Sequence, residues 1–307
     1  MGAIFQYSFI NILTQALRGV EEEIELTDPK HVLIQIHAVV LNYRDANILN
    51  GSNPWPVSPS GIPCSDAAGV IIAIGGGVTK FAVERRGSPI FDQNSITDQE
   101  QSREWLGGEV DGVLATHVIF PEDKIVEIPA HLTWAEAARL PCAWLTAWIA
   151  LAYDGSLMAR KTILIQDSPI LAINYSKNAD CDKEAVRMNG GVGVAIVVEN
   201  GGTLSIMKSL NVVAKRDIVN QVGYLGKQSP QDLEGLLPQL IDKAVTFRGI
   251  KVSSRLELEQ LNRVISANQM RFGEIIDRKF SFGQASEAFA YLWSGKHIGK
   301  IVIELSK

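Results

Sequence analysis

A change of texture near Pro129 constrains the fold of this chain more than any other feature. Before it, short apolar runs rich in β-branched residues stand between glycines and prolines. Residues 31–41, 67–74, 112–120 and 124–128 read as strands, which points to a small β-barrel or sandwich. The polar stretch 92–108 reads as an exposed loop. After Pro129, strands and helices alternate, the signature of an α/β sheet. Thr133-Trp134-Ala135-Glu136 fits a capping box, with Thr133 as N-cap and Glu136 reaching back. A helix over 135–152 follows, broken at Pro141, which lacks the N–H that a helix interior needs. Strands are expected at 162–166, 171–175, 192–198, 218–225 and 300–305, and helices at 182–188, 233–244, 256–267 and 286–293.

Composition narrows the class of protein. The 307 residues carry 29 Lys and Arg against 34 Asp and Glu, a net charge of −5, and 46% are hydrophobic. That apolar share excludes a largely disordered chain and supplies core for two domains. No positive surplus is available to neutralise phosphates, which excludes a polybasic nucleic-acid binder. Cys64, Cys142 and Cys181 are too few for a disulfide scaffold and imply a reducing compartment. The N-terminus lacks a signal-peptide pattern, and Gln6 stands where a myristoylation pattern wants Ser or Thr. No apolar run approaches a membrane span. The expectation is a cytoplasmic protein, engaging neither nucleic acid nor membrane.

Five segments, read in order, carry a resemblance. They are Leu41-Asn42-Tyr43-Arg44-Asp45, Ile62-Pro63-Cys64-Ser65-Asp66-Ala67-Ala68-Gly69-Val70 and Leu140-Pro141-Cys142-Ala143-Trp144-Leu145-Thr146-Ala147-Trp148, then Phe247-Arg248-Gly249-Ile250 and Ser294-Gly295-Lys296-His297-Ile298-Gly299-Lys300-Ile301-Val302-Ile303. Each alone is weak. Together they resemble the medium-chain dehydrogenase/reductase superfamily, in its zinc-less quinone-oxidoreductase-like branch. The resemblance implies an α/β protein with a GroES-like β-barrel domain, residues 1–128 and 270–307, and a Rossmann-type domain, residues 129–269. It implies a substrate cleft at their junction and, by analogy, a homodimer. Members reduce or oxidise carbonyls, or reduce quinones and activated double bonds, with NADP(H) or NAD(H).

Residue chemistry argues against zinc. A structural site needs four ligands, and three scattered cysteines cannot supply them. The catalytic zinc of zinc-dependent relatives would fall near Asn42, Ser65 and Asp66, where Asn and Ser are poor ligands.

The dinucleotide pattern is also altered. A Gly-rich turn should follow the first Rossmann strand and open a helix whose N-terminus faces the pyrophosphate. Here no glycine lies between Gly155 and Gly190, and Asp167-Ser168-Pro169 alone links the strand at 162–166 to the one at 171–175. Parallel neighbours need a crossover of about a dozen residues. The expectation is a shortened Rossmann domain lacking its first βαβ phosphate-binding segment, with NADP(H) binding impaired or lost. Asn189-Gly190-Gly191-Val192-Gly193 precedes a strand and reads as a loop, not a fingerprint.

The resemblance places Asn42, Tyr43, Arg44 and Asp45 beside substrate and nicotinamide. Tyr43 can donate a proton or orient a carbonyl, and Arg44 can stabilise negative charge. Alternatively, Arg44 and Asp45 form a structural pair at a strand end. Thr146 matches a position near the nicotinamide, or it bonds its own helix backbone. Tyr175 matches a tyrosine that holds an adenosine 2′-phosphate. Asn200 and Gly201 border the nicotinamide or form a plain turn; Gly223, Ser253 and Lys300 are further cofactor candidates. Cys64 and Cys142 read as buried thiols. The function expected is a zinc-independent reductase of a small quinone, enone or carbonyl compound. A cofactor-free isomerase, cyclase or lyase built on the old cleft is the alternative, and a non-catalytic pseudo-reductase a third reading.

Overall fold

The computed structural model describes residues 2–9, 16–97, 99–152, 162–165 and 173–305. β1 (Gly2–Phe9) and β2 (Leu17–Ile24) form a separate antiparallel pair. Next come β3 (His31–Val40), α1 (Tyr43–Leu49), β4 (Asp66–Ile74), β5 (Arg86–Pro89), β6 (His117–Pro121) and β7 (Ile125–Glu127). α2 (Trp134–Ala137), a π-helical turn at Leu140–Trp144 and α3 (Leu145–Ala152) follow. The α/β segment holds β8 (Ile163–Ile165), α4 (Cys181–Met188), β9 (Val194–Glu199), α5 (Thr203–Val212), β10 (Val213–Gln221), α6 (Leu236–Lys243) and β11 (Thr246–Gly249). The chain closes with α7 (Arg255–Ala267), β12 (Ile276–Ser281), α8 (Ala285–Trp293) and β13 (Lys300–Glu304). Among the described residues no helix is long and apolar enough to cross a membrane.

Two compact units emerge, Met1–Leu145 with Val252–Lys307, and Thr146–Lys251. These boundaries differ from the expected 128/129 and 269/270. α7 belongs with the first unit because the Asn262 amide donates to the Glu127 carbonyl at 2.9 Å. α2 belongs there because the Phe272 and Arg271 donors reach Glu136.

The first unit is a seven-stranded sheet ordered β12-β13-β3-β4-β5-β7, with β6 also on β3. Val32, Ile34 and Ile36 alternate inward along β3, as a half-buried strand requires. One edge of β3 pairs first with β6 and then with β13, while β4 holds the other. Two register shifts in the β3–β4 ladder let the sheet bend. Gly69 permits the closest approach: a Cβ there would stand 2.2 Å from the Gln35 carbonyl oxygen. Ala285, Ala288, Phe289 and Leu292 present one face of α8 to this core.

The second unit is a wholly parallel sheet ordered β11-β10-β9-β8. Most of β9 is buried, as expected of a parallel strand covered on both faces. Val197, Leu210 and Val219 pack on one side with residues of α4 and α6. Ile196 and Ile218 pack on the other with Leu151 of α3.

Several expectations are corrected. Of 112–120, only the part from His117 is strand; Gly112 and Val113 instead donate to the carbonyls of Ile62, Pro63 and Cys64. The stretch 92–108, expected as an exposed loop, is exposed only in its middle, at Thr97, Gln99, Gln101, Ser102 and Glu104, and is buried at its two ends. Asp92 and Leu106 are buried, and the Asp92 carboxylate accepts from the Asn94 and Glu104 amides and, at 3.1 Å, from the Trp105 indole. Trp55 meets Trp105 edge-on, and the Arg103 guanidinium lies over the Trp105 ring. The strand expected at 171–175 is absent over 173–175, where Asn174 accepts from the amides of Ser176, Lys177 and Asn178 in a turn. Residues 171 and 172, and the link 167–169, lie outside the described residues. β10 spans Val213–Gln221 rather than 218–225, because Val222 and Leu225 turn back to donate to Glu199 and Asn200 carbonyls. α6 starts at Leu236, after the left-handed Gly235, three residues later than expected.

The capping box forms as expected, with the Glu136 amide donating to the Thr133 hydroxyl at 3.2 Å. The break at Pro141 takes the form of the π turn, in which the Trp144 amide donates to the Arg139 carbonyl.

Candidate functional site

Strand register builds the site. Val40 of β3 stands opposite Asp66 of β4 on one side and Val302 of β13 on the other. The end of β3, the start of β4 and the start of β13 therefore meet at one end of the sheet. Asn42 leaves β3 there and caps α1. Its backbone N–H donates to the Asp45 carboxylate at 2.7 Å, which fixes the first turn. Lys300, the first residue of β13, donates from Nζ to Asn42 Oδ1 at 2.7 Å.

Asp66 completes this cluster. It is fully buried, and the Ser65 hydroxyl donates to its Oδ1 at 3.0 Å. Its Oδ2 has no hydrogen-bond partner among the described residues, nor has Asn42 Nδ2. Burial pushes the Asp66 carboxyl up to about 7, with the Asp45 charge adding to it; the Asn42 carboxamide, Lys300 and Ser65 pull it back. Burial also raises Asp45, against the neighbouring Arg44 cation.

The candidates divide on this geometry. Asn42 and Lys300 are brought together. Arg44 is committed elsewhere: it donates to the Leu106 carbonyl at 2.8 Å, lies 3.6 Å from Asp45 Oδ1 and stacks over Phe91. Arg44 and Asp45 thus form the structural pair, and Asp45 is sealed from solvent. Tyr43 is 40% exposed with its ring stacked 6.3 Å from Trp293. Burial raises the Cys64 and Cys142 thiols, which keeps both protonated and poorly nucleophilic. Ser253 donates to Glu257 beside the capping box of α7, a helix-start contact.

The remaining candidates lie in the second unit. Glu199 ends β9 with a buried carboxylate that accepts from the Gly201 and Gly202 amides and the Ser205 hydroxyl, at 2.6–3.0 Å. The Thr203 amide donates to Gln228. The Gly202 and Thr203 amides at the start of α5 are therefore already taken. Asn200 and Gly223 lie side by side, since a Cβ on Gly223 would stand 2.2 Å from Asn200 Oδ1. Thr146 lies in α3, and Tyr175 sits 71% exposed in its turn.

Asp66 is the member of this cluster that pattern reading left unassigned. The signal was present: an acid opens a run, Asp66–Ile74, that is otherwise apolar. A charged group at the start of a buried strand has to be paired, neutral or functional.

The alcohol dehydrogenase GroES-like domain model matches residues 28–130, and the zinc-binding dehydrogenase model matches residues 172–303. A zinc-type alcohol dehydrogenase-like protein of Schizosaccharomyces pombe is 28% identical, with 91% of this chain and 92% of the relative covered. The solved structure of a putative alcohol dehydrogenase from Sinorhizobium meliloti covers 99% of each chain at 27% identity and a TM-score of 0.87. The chain belongs to the medium-chain dehydrogenase/reductase superfamily. A further relative is the 2-methylene-furan-3-one reductase of Solanum lycopersicum, 27% identical, with 92% of this chain and 74% of the relative covered.

Two groups that this superfamily implies can be tested against the residues present. Zinc does not fit. Among the described residues no three His, Cys, Asp or Glu side chains gather to hold a metal, and the place near Asn42 and Asp66 holds the Lys300 ammonium. The start of α5 is a poor seat for the pyrophosphate of a nicotinamide dinucleotide, because the Glu199 carboxylate and Gln228 already hold the Gly202 and Thr203 amides. α4 opens with Asp180, Asp182 and Glu184, of which Asp180 pairs with Lys183 and Glu184 with Arg187.

Proposed function

We propose that the chain is a zinc-independent oxidoreductase of the quinone/enone-reductase type, acting on a small hydrophobic molecule, with NADP(H) binding weakened by a shortened nucleotide unit. The observation that carries this reading is the Lys300–Asn42 contact of 2.7 Å. An ammonium held there by its neighbour is preorganised to stabilise the negative charge that builds on a carbonyl or quinone oxygen during reduction. Tyr43, half-exposed beside the same turn, orients or protonates that oxygen. Hydride chemistry in the superfamily is the cofactor's own. The residues described here hold and polarise the acceptor.

Two observations support the shortening. Only fifteen residues separate β8 from α4, whereas a βαβ unit takes roughly 30. The alignment with the Schizosaccharomyces pombe relative runs over 321 positions, more than the 307 residues of this chain, so it includes positions with no counterpart here. The tomato reductase supports an activated double bond as the acceptor class.

The test is calorimetry with NADPH and NADH, followed by cofactor consumption with a quinone and an enone. We expect saturation only towards millimolar NADPH, and acceptor-dependent turnover there. Replacing Lys300 by Met lowers kcat about 100-fold, the scale of a lost oxyanion donor. Absence of both binding and turnover at millimolar cofactor overturns the reading. So does product formed with no nicotinamide added, which belongs to a cofactor-free isomerase or lyase.

A further inference from the structure

Asn42 connects two groups that stand on different strands. Its Oδ1 accepts from Lys300 Nζ, so its Nδ2 points to the opposite side of the carboxamide. Nδ2 is buried without an acceptor among the described residues, and Asp66 Oδ2 is buried without a donor. A buried unpaired donor and a buried unpaired acceptor each cost about 1–3 kcal/mol. They are the natural partners of one another, and the Asn42 carboxamide already favours the charged form of Asp66. Asp66 is sealed from solvent and cannot touch a substrate.

We propose that Asp66 is a positioning residue for Lys300, acting through the Asn42 carboxamide. The proposal rests on reading Lys300 as the group that meets the acceptor oxygen. As a carboxylate, Asp66 accepts at both oxygens, from Ser65 Oγ and from Asn42 Nδ2. That fixes the carboxamide with Oδ1 towards Lys300 and holds the ammonium in place. As a carboxylic acid, Asp66 carries a proton of its own, the carboxamide loses its anchor, and Lys300 is released. Burial places this change near neutral pH.

The other groups around Asp66 do not provide an alternative switch. Asp45 is engaged by the Asn42 backbone amide and by Arg44. Arg44 is held on Leu106. The Cys64 and Cys142 thiols are raised by burial and stay neutral across this range. Ser65 does not titrate.

The test reads the coupling without substrate or cofactor, so its failure is distinct from failure of the proposed activity. The full chain is labelled with 13C- and 15N-lysine, and the Lys300 side-chain signal, assigned by Lys300→Arg, is followed by NMR from about pH 5.5 to 8.5. We expect an inflection close to the titration of Asp66. It disappears in Asp66→Asn. It also disappears in Asn42→Ala, although Asp66 is still present, because the connecting carboxamide is gone. If Asp66→Asn does not fold, Asn42→Ala decides alone. A flat Lys300 titration in the parent chain overturns the proposal. So does an inflection that survives either substitution, since a through-space field or another group would then be its source.

Discussion

Asp66 shows what burial does to a single side chain. A carboxyl raised to about 7 in the fold, against about 3.9 in an unfolded chain, leaves the folded state preferring the proton. Stability from this group is complete below pH 4 and is lost as pH rises through 7, on the order of a few kcal/mol. Asp66→Asn removes that dependence. Urea unfolding at pH 5 and pH 8 therefore shows the variant gaining on the parent chain at the higher pH; an equal difference at both pH values contradicts the assignment. Gly69 is a second residue with a strict role. Gly69→Ala forces a Cβ against the Gln35 carbonyl, and we expect a loss of about 1–3 kcal/mol or more, read from the urea midpoint. Neither role was fully legible in the sequence. The sequence placed Asn42–Asp45 at the end of a strand, but the helix α1 that they open was not read. That Arg44 would be drawn away to Leu106, and that Asp66 would be left half-paired, depends on contacts between strands far apart in the chain.

At the scale of elements, legibility follows how local the stabilising contacts are. The Thr133–Glu136 box could be read directly because its two residues lie three apart. Its two distant partners, Arg271 and Phe272, could not. Burial acts to raise Glu136, but amide donors from Phe272 and Thr133, the Thr133 hydroxyl and Arg271 outweigh it and hold the carboxyl at about 2. Its stabilisation is present above the usual carboxylate range and is lost as pH falls towards 2. Glu136→Gln costs about 1–3 kcal/mol at neutral pH and progressively less in acid, measured by urea unfolding across that range. β11 and β12 were not legible, because each is a mostly exposed edge strand with no alternating apolar pattern. The stretch 92–108 looked exposed for the opposite reason. One buried carboxylate and a few aromatics bury the two ends of a segment that is polar on average and exposed in its middle.

For the whole molecule, the β-rich part and the parallel sheet were evident from texture alone, because strand and helix periods differ over tens of residues. The boundaries between them moved, since α2 and α7 are placed by hydrogen bonds that no periodicity reports. At this scale the decisive measurement is cofactor affinity, with NADPH expected to saturate only towards millimolar concentrations. The segment tied by Asp92 and Trp105 bears on another property of the molecule. In zinc-dependent members of the superfamily four thiolates staple a lobe; here a carboxylate, two indoles and a guanidinium close this segment from within the chain. The closure of this segment is made by side chains of the chain itself. We expect refolding in the presence of a strong chelator to reach the same yield as refolding with zinc supplied, and a lower yield with chelator contradicts it.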